Sequence, residues 1–360
     1  MKNPIRIFYE VFADADNVNA QSLNARGIAL RLDPQRFCSS FLVSKNPDPA
    51  LLGQRHIRLI HLPPRLRGLF GKLCLLLFTQ DILVYPNPYF HTPFWSRFLP
   101  RIGRKKKIVF PLEAPLGYLK EENLQAYKDL CRILRESDLI VPISDYTSRA
   151  LKDELGIQAP VVIPLGIDTH FFHPTDRQPS LDVRVLFAGR LIARKGLAEV
   201  VEAARRFPRV IFRIAGSAYG KEDGAFARKV QRQVRDERLR NVEFLGALSQ
   251  EGLRQVFWES DLLLHPSRVE GIPRVTLEAG ATGLPSIVFD DYRTPSVVND
   301  LTGFQVKRVE EMMDRLGLLV EDGDLRRKMG RAAVEHVKAF DLRVLAKQWE
   351  KIFTEMLQNW

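Results

Sequence analysis

Short apolar runs alternate with longer amphipathic stretches along this chain, and the alternation occurs twice. The first set of runs is IRIFYE (5–10), CSSFLV (38–43), IRLIHL (57–62), DILVYP (81–86), KKIVFP (106–111) and DLIVPI (138–143). The second is RVLFAG (184–189), RVIFRIAG (209–216), NVEFLG (241–246), DLLLHP (261–266) and PSIVFD (285–290). Runs of this length, separated by helical patterns such as AEVVEAARRF (198–207) and EGLRQVFWES (251–260), predict α/β domains with parallel sheets covered on both faces. A chain of 360 residues has room for two of them.

The division is expected within LGIDTHFFHPTDRQPS (165–180), which is rich in Pro, Gly and Asp and has no sustained period. Phe171 and Phe172 are read as packing that hinge. The domains then run over 1–165 and 166–340. The remaining stretch, 341–360, carries Leu342, Leu345, Trp349, Ile352, Phe353 and Met356 at steps of three and four, so it is a helix with one apolar stripe. Such a stripe needs a surface, and the first domain is the expected one.

Composition limits the function classes. The net charge is +11, from 54 Lys+Arg and 43 Asp+Glu. Residues 1–165 hold 23 of the cations and 15 of the acids, a net of +8, so the excess lies mainly in the first half. A basic balance of this kind fits an anionic membrane surface, a phosphorylated substrate or nucleic acid. The three cysteines, Cys38, Cys74 and Cys131, have neither metal spacing nor an even count, which fits a reducing cytosol. The N-terminus reads as a strand, and no apolar run approaches the ~18–20 residues of a membrane span.

Two stretches carry the chemistry. FAGRLIARKG (187–196) follows a strand directly; Gly189 permits a tight turn, and Arg190 and Lys195 sit before the next helix. Cations at a strand's carboxyl end beside a helix N-terminus make an anion site, or else a solvated basic loop. RVEGIPRVTLEAGATGLP (268–285) places Glu270 in a loop, Pro273 at a helix start and Glu278 within the helix, read as 273–282. The helix would turn backbone N–H groups and a positive dipole end toward the Glu270 loop, where a diphosphate can accept them. A carboxylate accepts two hydroxyls at once, so Glu278 suits a ribose diol and Glu270 a sugar. Cations for phosphates with acids for hydroxyls describe a nucleotide-sugar site; acids near a helix start are the plainer alternative.

In their order, FAGRLIARKG, IAGSAYG, NVEFLG, HPSRVEGIPRVTLEAGATGLP and TGFQV resemble the nucleotide-binding domain of retaining glycosyltransferases of family 4, over roughly 140–330. The resemblance implies a GT-B fold, with two Rossmann-like domains whose parallel sheets face an interdomain cleft. It implies Arg190 and Lys195 on the donor diphosphate, Glu270 on the transferred sugar and Glu278 on the ribose. Backbone at Gly271, Ile272 and Pro273 would line the sugar pocket, and that of Val275 and Thr276 would reach phosphate.

The first half departs from the family pattern. In place of a glycine-rich loop after the first strand stands EVFADADNVNAQS (10–22), crowded with Asp14, Asp16, Asn17 and Asn19. Asn17 is the expected cap of the helix read over 17–32. The acids either bind donor or acceptor hydroxyls or are simply solvated. Where relatives carry a histidine near the sugar, IVFPLEAPLG (108–117) offers Glu113. LPPRLRGLFGKLCLLLF (62–78) and FWSRFLPRIGRKKK (94–107) mix cations with apolar residues, as interfacial helices on anionic lipid or as ordinary core helices with basic ends. His265 ends a strand before the Glu270 loop and is either packed there or near the donor.

The expectation is therefore a metal-independent, retaining transferase in the cytoplasm, peripheral on the inner membrane face. It would need no cofactor beyond a nucleotide-diphosphate sugar as donor and would act on a glycan or lipid-linked hydroxyl. A GT-B nucleotide-sugar epimerase is the alternative enzyme. A nucleic-acid-binding module is disfavoured, because the aromatic-and-basic strand motif is missing.

Overall fold

The computed structural model describes residues 3–62, 80–84, 107–176, 182–218 and 220–358. The basic segments 63–78 and 94–106 fall outside the described residues. The chain divides into two compact units, Met1–Gly166 with Phe340–Trp360, and Ile167–Ala339.

In the first unit the strands are β1 (Ile5–Phe12), β2 (Phe37–Val43), β3 (Ile57–His61), β4 (Ile82–Val84), β5 (Lys107–Leu112) and β6 (Leu139–Pro142). All pairings are parallel, in the order β3-β2-β1-β4-β5-β6. Alternate residues of β1 serve opposite faces: Ile7, Tyr9 and Val11 enter one core, Phe8 the other. Tyr9 stacks flat on Phe41 at 4.9 Å. Helix α1 (Ala20–Ala29) lies on the Tyr9 side, while α2 (Leu116–Glu122), α3 (Leu124–Glu136) and α4 (Asp145–Leu155) serve the Phe8 side.

Helix α1 corrects one expectation. Its cap is Asn19, whose side chain accepts from Ser22 N at 2.8 Å; Asn17 instead donates its amide to Phe12 O at 2.7 Å. Ala25, Ile28 and Ala29 turn into the core, with Leu32 just beyond the helix. Val18 is exposed, whereas Ser22, Asn24 and Arg26 are buried. Each has backbone to satisfy: Ser22 Oγ donates to Phe12 O, Asn24 Oδ1 accepts from Gly166 N, and Arg26 donates to Asp14 O, Asn17 O and Asp48. The loop after β1 is held by these bonds, which compensate for burying polar groups.

The second unit repeats the architecture. Its strands are β7 (Arg184–Ala188), β8 (Ile211–Ala215), β9 (Val242–Gly246), β10 (Leu262–His265), β11 (Ser286–Phe289) and β12 (Gly303–Val306), parallel in the order β12-β11-β10-β7-β8-β9. Helices α5 (Leu197–Arg206), α6 (Gly220–Asp236), α7 (Gln250–Trp258), α8 (Arg274–Ala281), α9 (Val309–Glu321) and α10 (Gly323–Val337) surround it. The apolar runs of the sequence supplied no strand at β12. It is four residues long and starts at Gly303, where a Cβ would fall 2.1 Å from Ser286 O, so the residue that seats it against β11 is one that disfavours strands. Phe172 packs edge-on against Phe257 within this unit, and Arg254 covers Phe171. These aromatics fasten 171–172 to α7.

The last helix, α11 (Leu342–Gln358), joins the first unit. Leu342, Leu345, Trp349, Ile352 and Phe353 enter the same core as Ile7 and Tyr9, and Glu350 accepts from Asp33 N at 2.8 Å. No helix among the described residues is long and apolar enough to cross a membrane.

Candidate functional site

The cluster begins at the carboxyl ends of β7 and β10, adjacent strands in the second sheet. From β7 the chain turns at Gly189, passes Arg190, and makes a short 3-10 turn over Ala193–Lys195 before α5. Gly196 closes that turn with φ +79, and a Cβ there would meet Pro266 O at 2.2 Å. Only glycine tolerates both the left-handed backbone and the close approach. The loop is thereby pressed onto the segment leaving β10. Arg268 N donates to Arg194 O at 3.2 Å, and Arg194 returns a bond to Val269 O at 3.1 Å.

This pairing of loops sets Lys195 against Glu270. The ammonium donates to Glu270 Oε1, with both side chains almost fully enclosed. Ser267 Oγ donates to the same oxygen at 2.6 Å, and His265 Nε2 stands 3.4 Å from it. Burial by itself pushes the Glu270 carboxyl up, but the Lys195 charge and His265 outweigh it and hold the group far below the usual carboxylate range. Burial pulls Lys195 below the ordinary lysine range, Arg194 and Arg190 add to the pull, and Glu270 opposes them. Arg190 itself is exposed, yet its charge reaches Lys195.

The loop then passes Gly271 and Ile272 and enters α8. Pro273 is the residue just before the first helical turn, at φ −65 and ψ 116, and no side chain caps that turn. Its N–H groups are thus not taken by a capping side chain, which leaves them suited to an anion. Gly271, Ile272, Pro273, Val275 and Thr276 are all buried; Thr276 Oγ1 donates to Pro273 O and meets Ser296 Oγ at 2.5 Å. Glu278, in the second turn, is 3% exposed and accepts from Arg274 Nε at 3.0 Å. Burial pushes its carboxyl up, with Arg274 opposing.

The structure therefore brings Lys195 and Glu270 together, with Arg190 within electrostatic reach. Glu278 is paired with Arg274 one turn away. Ser267, Arg194 and Arg274 are participants that the sequence motifs did not single out. Two had a readable signal: Ser267 lies three residues before Glu270, and Arg274 lies four before Glu278, the spacing of a helical ion pair.

In the first unit, Asp14 is not solvated. Its carboxylate accepts from the backbone N–H groups of Ser44, Lys45 and Asn46 and from Ser44 Oγ. Burial raises its pKa, but these bonds win and leave it below the usual value. With its oxygens so engaged, Asp14 fixes the turn after β2, contrary to a role on substrate hydroxyls. Asp16 is exposed. Glu113 lines a small pocket with Tyr9, Gln21, Asn24, Val84 and Trp349. That pocket contains none of the Lys195–Glu270 cluster.

Comparison with known proteins bears on both units. Residues 172–336 match the family described as Glycosyl transferases group 1. The chain is 28% identical over 240 residues to the GDP-mannose-dependent monoacylated alpha-(1-6)-phosphatidylinositol monomannoside mannosyltransferase of Corynebacterium glutamicum, covering 59% of this chain and 60% of that protein. It is 29% identical over 232 residues to the D-inositol 3-phosphate glycosyltransferase of Nocardia farcinica, covering 58% and 51%. The chain thus spans between half and three fifths of these relatives' lengths. Among solved structures, sucrose-phosphate synthase from Thermosynechococcus elongatus aligns with TM-score 0.85 at 18% identity, over 99% of this chain and all of that one. Anabaena HepE in complex with UDP and glucose aligns with TM-score 0.78 at 17% identity, over 98% and 100%. Two parallel six-stranded sheets that align in this way over nearly the whole chain make the fold GT-B, as the motifs had implied.

Proposed function

We propose that this protein, whose residues 172–336 match the family described as Glycosyl transferases group 1, is a retaining glycosyltransferase that carries a sugar from a nucleotide-diphosphate donor to a hydroxyl of a glycan or glycolipid. The observation that carries the proposal is the enclosed Lys195–Glu270 pair at the ends of β7 and β10. It puts a phosphate-binding cation beside a hydroxyl-binding acid, as a sugar joined to a diphosphate requires.

In this reading Arg190, Lys195 and the first turn of α8 hold the diphosphate. Glu270 accepts from hydroxyls of the transferred sugar, and Glu278 accepts from the ribose. The acceptor oxygen attacks the anomeric carbon from the side on which the diphosphate leaves. The bond from that carbon to the phosphate oxygen breaks as the new glycosidic bond forms, and the acceptor proton passes to the departing phosphate oxygen. Negative charge growing on the leaving group is met by fixed cations and N–H dipoles, with no metal ion in the scheme.

Recognition of the acceptor falls to the first unit. The relatives named for phosphatidylinositol mannoside and inositol 3-phosphate put GDP-mannose and polyol or lipid-linked acceptors first among those to try. A lipid-linked acceptor would put the protein at the cytoplasmic face of the membrane.

The test is a panel of UDP-, GDP- and ADP-sugars, scored by thermal stabilisation and then by transfer in the presence of EDTA. One nucleotide sugar should stabilise the protein, and Lys195→Ala should lower kcat/KM for it by about 100-fold. Conversion of the sugar without any acceptor would instead identify an epimerase. A full rate in Lys195→Ala removes the assignment of the diphosphate site.

A further inference from the structure

Two donors and a nearby imidazole converge on one oxygen of Glu270, and among the described residues the other oxygen has no donor. Lys195 and Ser267 donate to Oε1, and His265 Nε2 stands 3.4 Å from it. Oε2 takes no hydrogen bond among the described residues and is not sealed from solvent. Ser267 and His265 are 0% and 1% exposed, so both are built into the floor of the loop. The His265 ring lies over Phe187, centroids 6.3 Å apart and planes 22° from parallel, which fixes its orientation. Neither buried ring nitrogen makes a well-formed hydrogen bond in the ligand-free chain, and the carboxylate oxygen near Nε2 is Glu270 Oε1, at 3.4 Å.

We propose that His265 and Ser267 are positioning residues that anchor Oε1 of Glu270 and so present Oε2 to a hydroxyl of the donor's sugar. The proposal rests on the nucleotide-sugar reading of the site. Its physical need is plain. An ammonium drawn toward a diphosphate loosens its hold on Oε1, and a carboxylate left with no fixed donor can swing. Ser267 and His265 are uncharged donors that a phosphate does not attract as strongly, so the anchor survives donor entry. Burial pulls the imidazole below its usual range, as do Lys195 and Arg194, with Glu270 opposing. The ring is thus neutral and carries one N–H, and the tautomer protonated at Nε2 is the one that serves Glu270. Because Oε2 faces sugar in this scheme, loss of the anchor should weaken sugar recognition and spare the nucleotide.

The first arm of the test needs no ligand. The full chain is labelled with 15N-histidine at about pH 7.5, where a neutral ring is expected. His265 should carry its proton on Nε2, and Glu270→Gln should shift that resonance. A proton on Nδ1 alone, or no response to Glu270→Gln, overturns the proposal whatever the donor proves to be.

The second arm uses the panel of UDP-, GDP- and ADP-sugars and the free diphosphates UDP, GDP and ADP. His265→Phe keeps the stacked ring and removes the donor; Ser267→Ala removes the hydroxyl. Each should lower kcat/KM for the nucleotide sugar ~10–100-fold and leave affinity for the free diphosphate within about twofold. His265→Gln, whose amide nitrogen reaches near the imidazole Nε2, should restore part of the loss. In a Glu270→Ala background, His265→Phe should have no further effect. Retention of full activity, equal loss of diphosphate and sugar affinity, no rescue by Gln, or an undiminished effect without Glu270 each refutes the positioning role. Should His265→Phe fail to fold, Ser267→Ala carries the same comparison. Should wild type bind none of the nucleotide sugars, the site reading fails, and the ligand-free arm still decides the hydrogen bond.

Discussion

Asp14 commits both carboxylate oxygens to the turn after β2, where three backbone N–H groups and one hydroxyl point at it. Asp14→Ala should cost about 2–3 kcal/mol, because several buried donors lose their acceptor together. The loss is measurable by urea unfolding. Its pH dependence has a definite sign. A carboxyl whose folded pKa is depressed stabilises the fold above its unfolded value, about 3.9, and that advantage disappears as pH falls through the lower folded value. The gap between wild type and Asp14→Ala should therefore be constant above about pH 5 and shrink in acid. An equal gap at every pH would show that the ionised carboxylate is not what matters. In the sequence, Asp14 looked like one of a cluster of exposed acids. Its partners lie 30–32 residues further on, and nothing local announces them. Arg274–Glu278 and Ser267–Glu270 span four and three residues, and such pairs can be read directly.

Strands were legible because parallel strands buried on both faces become unbroken apolar runs. RVLFA and DLLLH announce β7 and β10 this way, and β12 does not, being short and led by glycine. The loops joined to those strands were legible in chemistry but not in geometry. Arg190, Lys195 and Glu270 carry recognisable charge, whereas their convergence depends on Gly196 lying against Pro266. Gly196→Ala tests that element. The added methyl meets backbone at 2.2 Å in a left-handed conformation, so the loop from β7 must move away. Affinity for a stabilising nucleotide sugar should fall at least ~10-fold, and thermal stability should drop with it. Gly53→Ala is the control. Its φ is also positive, at +75, but nothing lies within 4 Å, so only about 1 kcal/mol of backbone strain is expected and no loss of nucleotide affinity. Equal behaviour of the two variants would show that the loop does not need its seat on Pro266.

Across the whole molecule, charge is distributed unevenly, with +8 of the net +11 in residues 1–165. A surface of that sign should associate with vesicles containing anionic phospholipid, and the attraction should weaken as ionic strength rises past the point where the screening length is about 10 Å. Cosedimentation at low and high salt measures it; no association at low salt would separate this protein from any membrane-bound acceptor. The first unit also has a feature of connectivity. It is assembled from residues 1–166 and 340–360, with the whole second unit threaded between them in sequence. Leu345, Trp349 and Phe353 belong to the core that holds Tyr9, so that core cannot be completed while the ribosome is still making residue 340. The second unit has all its strands by residue 306 and its helices by 337, and can mature first. During synthesis the earlier-made half must wait, its Tyr9 face uncovered, for residues 340–360 to emerge, and that interval is when a chaperone would find it.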